Sequence, residues 1–146
     1  MKYIIRETND FEELAQLYYD SDLEITLGEA PHGKIIKNWR CTDENGRLIA
    51  GATLMYKGEL CVVEYIAVAE DMRGSGLGSE LLHIAEEEAK AINVRTLWLC
   101  GKVPEFYKKY DWEPVDNESA PPISVCQDCE DFHVSCFPII MKKEFA

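Results

Sequence analysis

Two groups of residues in this chain have types and spacing that suit chemistry. The first is the turn Arg73-Gly74-Ser75-Gly76-Leu77-Gly78, which follows the apolar run from Cys61 to Val68 and leads into a helix-like stretch. A strand, a glycine-rich turn and a helix in that order offer free backbone N–H groups to an anion, and glycine lets a phosphate come close to them. The second is Cys126-x2-Cys129-x3-His133-x2-Cys136, four potential zinc ligands within eleven positions. Its spacing is more compact than that of a zinc ribbon or finger. A redox pair at Cys126 and Cys129, a lone thiol near a substrate, or unligated residues therefore stand beside the metal reading.

Three nucleotide readings compete for the glycine turn. A triphosphate-binding P-loop ends in Gly-Lys-Ser/Thr, which occurs nowhere in the chain. The dinucleotide fingerprint Gly-x-Gly-x-x-Gly lacks its final glycine, because Ser79 or Leu81 stands there depending on the start. No acidic residue ends the Val94 to Cys100 strand to hold a ribose either. What remains, Arg73-Gly-Ser-Gly-Leu-Gly78, resembles the Arg/Gln-x-x-Gly-x-Gly/Ala signature of the GNAT superfamily of acyl-CoA N-acetyltransferases. Upstream, Tyr65-Ile-Ala-Val-Ala-Glu-Asp-Met72 resembles that family's strand and lead-in. Downstream, Phe106-Tyr-Lys-Lys-Tyr-Asp-Trp112 resembles its Phe-Tyr-x-x-x-Gly-Phe segment, with Asp111 and Trp112 where Gly and Phe are usual.

The resemblance implies transfer of an acetyl group from acetyl-CoA to an amine by direct attack. That reaction needs a deprotonated amine, a polarised thioester carbonyl and a proton for the departing thiolate. By the resemblance, amides of Arg73, Gly74, Ser75, Gly76, Leu77 and Gly78 hold the pyrophosphate. The backbone of Ile66, Ala67 and Val68 pairs with the pantetheine arm as another strand would. Tyr107 aligns with a tyrosine that gives its proton to the sulfur in many members; the plain alternative is aromatic packing with Phe106 and Tyr110. Glu64 is the candidate base, since strand alternation places Val62, Glu64 and Ile66 on one face and a carboxylate in a buried strand is otherwise costly. Equally, Glu64 could simply pair with a neighbouring Lys or Arg.

The elements that must position these groups follow from periodicity. Lys2 to Arg6 reads as a strand; Asn9 and Glu12 form a helix-capping pattern before the Phe11, Leu14, Ala15, Tyr18 face. Ser21 to Gly33, with three breakers, reads as a short helix or a mobile loop. Lys34 to Thr42 and Arg47 to Tyr56 are strands joined by the hairpin signal Asn45-Gly46. Leu77, Leu81, Ala85, Ala89 and Ile92 make an apolar helix stripe with Glu86, Glu87 and Lys90 turned outward. Val94 to Cys100 is then a strand parallel to Leu60 to Val68, through a βαβ crossover. Pro104 starts a short helix, and strands at about Trp112 to Val115 and Phe137 to Phe145 finish the chain. The expectation is one α+β domain over 1–146, a GNAT-like mixed central sheet of six or seven strands flanked by about four helices.

Composition narrows the partners. The net charge of −12 argues against nucleic acid, whose phosphates it would repel. No apolar run approaches the roughly 18 residues of a membrane span, and Cys41, Cys61 and Cys100 sit in strand-like runs as small core residues suited to a reducing compartment. A cytoplasmic enzyme with a small-molecule or peptide amine acceptor is expected, and a homodimer stays open. The acceptor site should lie between the first helix, Ser21 to Gly33 and the loop from Asp116 to Val134, with Asp20, Asp22, Glu24, Glu29 and His32 as polar candidates. The rival from another class is a non-catalytic acyl-CoA sensor, regulated by metal or redox state through the cysteine loop.

Overall fold

The structure, a computed structural model, describes residues 2–116, 118–124, 127 and 138–145. In chain order the elements are β1 (Tyr3–Thr8), α1 (Phe11–Asp20), β2 (Lys34–Asp43), β3 (Leu48–Lys57), β4 (Leu60–Val68), a 3-10 turn (Glu70–Met72), α2 (Leu77–Ala91), β5 (Thr96–Gly101), α3 (Pro104–Lys108), β6 (Glu113–Pro114) and β7 (Ile139–Glu144). The strands form one sheet in the order β1-β2-β3-β4-β5-β7-β6. Only β4 and β5 are parallel; the other pairs are antiparallel. The expected α+β fold with a mixed sheet of six or seven strands is therefore observed, with seven strands among the described residues. Among the described residues the α-helices number three, beside the single 3-10 turn, because Ser21 to Gly33 forms turns and bends but no helix.

Local chemistry explains most boundaries. Asp10, one residue after the expected Asn9, caps α1 by accepting from the Glu13 amide at 3.2 Å. The β2–β3 hairpin turns at Gly46, which has φ +81°, and Asp43 Oδ1 accepts from the Asn45 and Arg47 amides at 2.9 Å each. Helix α2 buries Leu77, Leu81, Leu82, Ala85 and Ala89 on the sheet together with Trp39, Cys41, Leu54 and Leu97. Leu14 and Tyr18 of α1 pack on the opposite face against Tyr65 and Ala67. Cys41 and Cys61 are buried free thiols, and Cys100 is half-buried in β5.

Glu86 departs from the expected outward face of α2. It is 5 % exposed, where its Oε2 accepts from Trp112 Nε1 at 3.1 Å and its Oε1 from Lys143 Nζ at 2.7 Å. Lys143 also donates to the Tyr110 carbonyl at 2.9 Å. A buried carboxylate is tolerable once paired and hydrogen-bonded, and here it ties α2, β7 and the end of α3 together. Among the described residues no helix is long and apolar enough to cross a membrane.

Candidate active site

Strands β4 and β5 pair at only two positions, Cys61 with Leu97 and Val62 with Trp98, and separate beyond them. A bulge in β4 accounts for the departure. Thr53 faces Tyr65 while Leu54 faces Val63, so Glu64 is an extra residue without a cross-strand partner. The extra residue also shifts the pleat by one. Val62 stays with Ile123 and Ile140 on one face, whereas Ile66 packs with the α2 core on the other. The expected common face of Val62, Glu64 and Ile66 therefore does not exist. A buried chain supports the bulge: Tyr18 donates to Thr53 Oγ1 and Thr53 to Asn38 Oδ1, each at 2.8 Å, and the Tyr18 ring stacks on Tyr65 with centroids 4.6 Å apart.

The wedge opens toward the glycine turn. Gly74 and Gly76 have φ +82° and +86°, a region that costs other residues energy, and a Cβ on either would meet nothing within 4 Å. Open space therefore borders both glycines, room that suits a phosphate. Gly76 is the N-cap of α2 and supplies no side-chain cap, which leaves the first amides of the helix free within the fold. The Ser75 and Ser79 hydroxyls donate to the carbonyls of Met72 and Gly76, at 2.6 and 3.0 Å, and so shape the turn from within.

At the open end of the wedge stands a cavity of about 150 Å³. Glu64 and Ile66 of β4, Cys100 of β5, Lys57 of β3, Tyr107 of α3 and His32 line it, together with Leu23, Glu24 and Lys102. Tyr107 reaches the wall because β5 ends in Gly101: a Cβ there would lie 2.9 Å from Tyr107 Cε2. Its ring packs edge-on against Phe106 and Trp112, at 5.0 and 6.2 Å between centroids. Burial, with a smaller contribution from Cys100, pushes the Tyr107 hydroxyl up to about 12. The Glu64 carboxylate lies 2.5 Å from Lys57 Nζ. Burial raises Glu64 above the ordinary carboxylate value, while Lys57 and, less strongly, His32 pull it down. A wider cleft lined by Tyr19, Asp22, Glu24, Glu29, His32 and Lys102 adjoins the cavity.

Residues 3–112 match the model of the acetyltransferase (GNAT) family. The chain belongs to that family. No curated protein matches it by sequence. Among solved structures, a GNAT-family acetyltransferase from Staphylococcus aureus superposes with a TM-score of 0.70 at 14% identity, covering 99% of this chain and 100% of that one. Naa50 of Arabidopsis thaliana, in complex with the bisubstrate analogue CoA-Ac-MVNAL, gives 0.69 at 15% identity over 99% and 100% of the two chains. A GNAT-family acetyltransferase from Elizabethkingia anophelis with acetyl-CoA bound gives 0.62 at 18% identity over 98% and 98%. At these identities the likeness is one of fold.

Within this GNAT chain the structure gathers Tyr107, Glu64 and Ile66 at one cavity, and places the Arg73 to Gly78 turn at the start of α2. Of the polar acceptor candidates, Glu24 and His32 line the cavity, and Asp22 and Glu29 line the adjoining cleft. Asp20 instead accepts from Gln16 at 3.0 Å within α1. Asp111, the departure from the family's glycine, has φ +69°, the left-handed conformation that Gly would adopt freely and Asp tolerates. Cys126, Cys129, His133 and Cys136 lie outside the described residues. Among the described ones no group of three or more His, Cys, Asp or Glu is arranged to hold a metal. Lys57 and Lys102 were not singled out by the sequence; a lysine ending a strand carries no signal until the bulge brings Glu64 to it.

Proposed function

We propose that the protein transfers the acetyl group of acetyl-CoA to a primary amine by direct attack, without a covalent enzyme intermediate. The observation that carries this is the β4–β5 wedge, with an open glycine turn near it and a cavity walled by a half-buried phenol and a half-buried carboxylate. Membership of the GNAT family and coenzyme A ligands in structures of the same fold support it.

In this mechanism the amides from Arg73 to Gly78 hold the pyrophosphate, aided by the positive end of α2. The backbone of Ile66, Ala67 and Val68, on the side of β4 that β5 has left, holds the pantetheine arm by strand-like hydrogen bonds. An amide there polarises the thioester carbonyl. Glu64 takes the proton of the acceptor ammonium, directly or through a water, and burial makes it a stronger base than an ordinary carboxylate. Tyr107 donates to the sulfur as the C–S bond breaks, and the proton that the nitrogen sheds after forming the new C–N bond restores the phenol. The burial that raises the phenol also raises the basicity of a thiolate formed beside it, so the two remain matched. The acceptor enters through the cleft of Asp22, Glu24 and Glu29, whose carboxylates favour a cation.

The test is coenzyme A release, read with a thiol dye, from acetyl-CoA plus spermidine, kanamycin, lysine or a peptide with a free N-terminus. Saturable turnover with at least one acceptor is expected. Calorimetric binding of acetyl-CoA with no turnover on any of them would sink the enzyme reading in favour of a sensor.

A further inference from the structure

Lys57 ends β3, and its ammonium makes two short contacts. One is to Glu64 Oε2 at 2.5 Å, and the other is a donation to the Ile123 carbonyl at 2.6 Å. Both charged side chains keep only 11% of their surface exposed. Ile123 is buried against Val62 and Ile140, and Gln127 braces the turn that presents its carbonyl. Gln127 Oε1 accepts from the Ile123 and Ser124 amides at 2.9 and 3.0 Å, and its Nε2 donates to the Pro121 carbonyl at 3.0 Å. The lysine thus bridges a fixed turn and the one residue of β4 that has no cross-strand partner.

That lack matters. In a regular ladder, neighbours across the strand set where a side chain points; at a bulge they do not. We propose that Lys57 is a positioning residue for acyl transfer, fixing the Glu64 carboxylate at the cavity wall and tying it to the turn at Ile123 through that residue's carbonyl. The proposal rests on Glu64 being the base. Two short bonds to different elements distinguish this from an exposed ion pair, which would be loosely held and screened.

The charge has a consequence of definite sign. Around the cavity, Glu24 and His32 come from the segment before β2, Lys57 from β3, Cys100 from β5, Lys102 from the residue after β5, and Tyr107 from α3. Lys57 and His32 are the ones that oppose protonation of Glu64, Lys57 foremost. Removing the lysine's charge therefore raises the proton affinity of Glu64. A base that must be unprotonated then fails at a higher pH.

The experiment is the pH profile of kcat/KM by coenzyme A release, with whichever of spermidine, kanamycin, lysine or the free-N-terminus peptide turns over, for Lys57→Met, Lys57→Gln, Lys57→Arg and Glu64→Gln. Melting curves run on each protein. Lys57→Gln keeps a donor for both oxygens, so it answers the question if Lys57→Met does not fold. Expected are an acid limb moved up by at least about one pH unit in the neutral variants, equal to a roughly tenfold rate loss below the limb, and a limb within about half a unit of wild type in Lys57→Arg. An unmoved limb and unchanged kcat in a folded neutral variant, with Glu64→Gln inactive, overturns the role of Lys57 and leaves the base intact. Full activity in Glu64→Gln overturns the base, and the Lys57 proposal with it. No turnover by wild type overturns both along with the enzyme reading.

Discussion

Replacing Tyr107 by Phe separates the chemical role of its hydroxyl from the packing role of its ring. The ring is held by Phe106, by Trp112 and by the bare backbone of Gly101, and Phe fills the same volume. Among the described residues the hydroxyl makes no hydrogen bond that Phe would lose. The stability change should therefore stay within about 0.5 kcal/mol, a shift in Tm of no more than roughly 2 °C for a chain of this size. A donor to the departing sulfur acts only as the C–S bond breaks, so its loss falls on kcat. Proton transfer by a placed side chain contributes about a hundredfold or more; allowing for a water that takes over part of the task, the fall should be between roughly tenfold and a hundredfold, or about 1.4 to 2.7 kcal/mol. The KM for acetyl-CoA should change little, since the hydroxyl is assigned to the departing sulfur and not to holding the pyrophosphate. With the hydroxyl held at about 12, Tyr107 stays protonated across the usual assay range, so its ionisation should produce no basic limb below about pH 11. Steady-state kinetics from pH 6 to 10 beside a melting curve test all of this. Wild-type kcat in a Tyr107→Phe protein of unchanged Tm would refute the acid role and leave only aromatic packing.

Two further substitutions probe the turn and the scaffold. Gly76→Ala meets no atom but forces alanine to φ +86°, which costs about 1 to 2 kcal/mol. Tm should fall by a few degrees while the calorimetric Kd for acetyl-CoA rises at least tenfold, and an unchanged Kd would remove this amide cluster from the coenzyme site. Glu86→Ala leaves Lys143 and the Trp112 indole N–H without their buried acceptor, at a cost of about 3 kcal/mol. That corresponds to a fall in Tm of roughly 6 to 12 °C; a loss below about 1 kcal/mol in chemical denaturation would show that the network is solvated in practice.

Much of the fold was legible because periodicity and turn chemistry act over a few neighbouring residues. The Asn45-Gly46 hairpin, the α2 stripe and the β4–α2–β5 crossover need only local rules, and each appears where those rules place it. What was hidden depends on partners distant in sequence. Glu86 reads as a solvated residue on a helix until Trp112 and Lys143 are brought beside it. Asp10 takes the cap from Asn9 because only its carboxylate lies over the Glu13 amide. The Ser21 to Gly33 segment holds polar residues whose place at the cavity depends on tertiary packing.

The bulge in β4 is the most consequential feature that periodicity missed, and it shows why strand alternation is a weak guide at an active site. One extra residue accompanies three effects at once: β4 leaves β5, Ile66 turns to the opposite face from Val62, and Glu64 loses its cross-strand partner. The first effect creates the edge on which a pantetheine arm can add as a strand. The third leaves a carboxylate at the cavity wall that the ladder does not orient, and the Lys57 contact supplies the missing constraint. A strand without the bulge would continue its pairing with β5 past Val62 and close the wedge. Accordingly, deletion of Glu64, which restores simple alternation, should abolish acetyl-CoA binding as well as turnover, whereas Glu64→Gln should abolish turnover alone. If the deletion variant folds and still binds acetyl-CoA with wild-type Kd, the bulge is not what opens the coenzyme site.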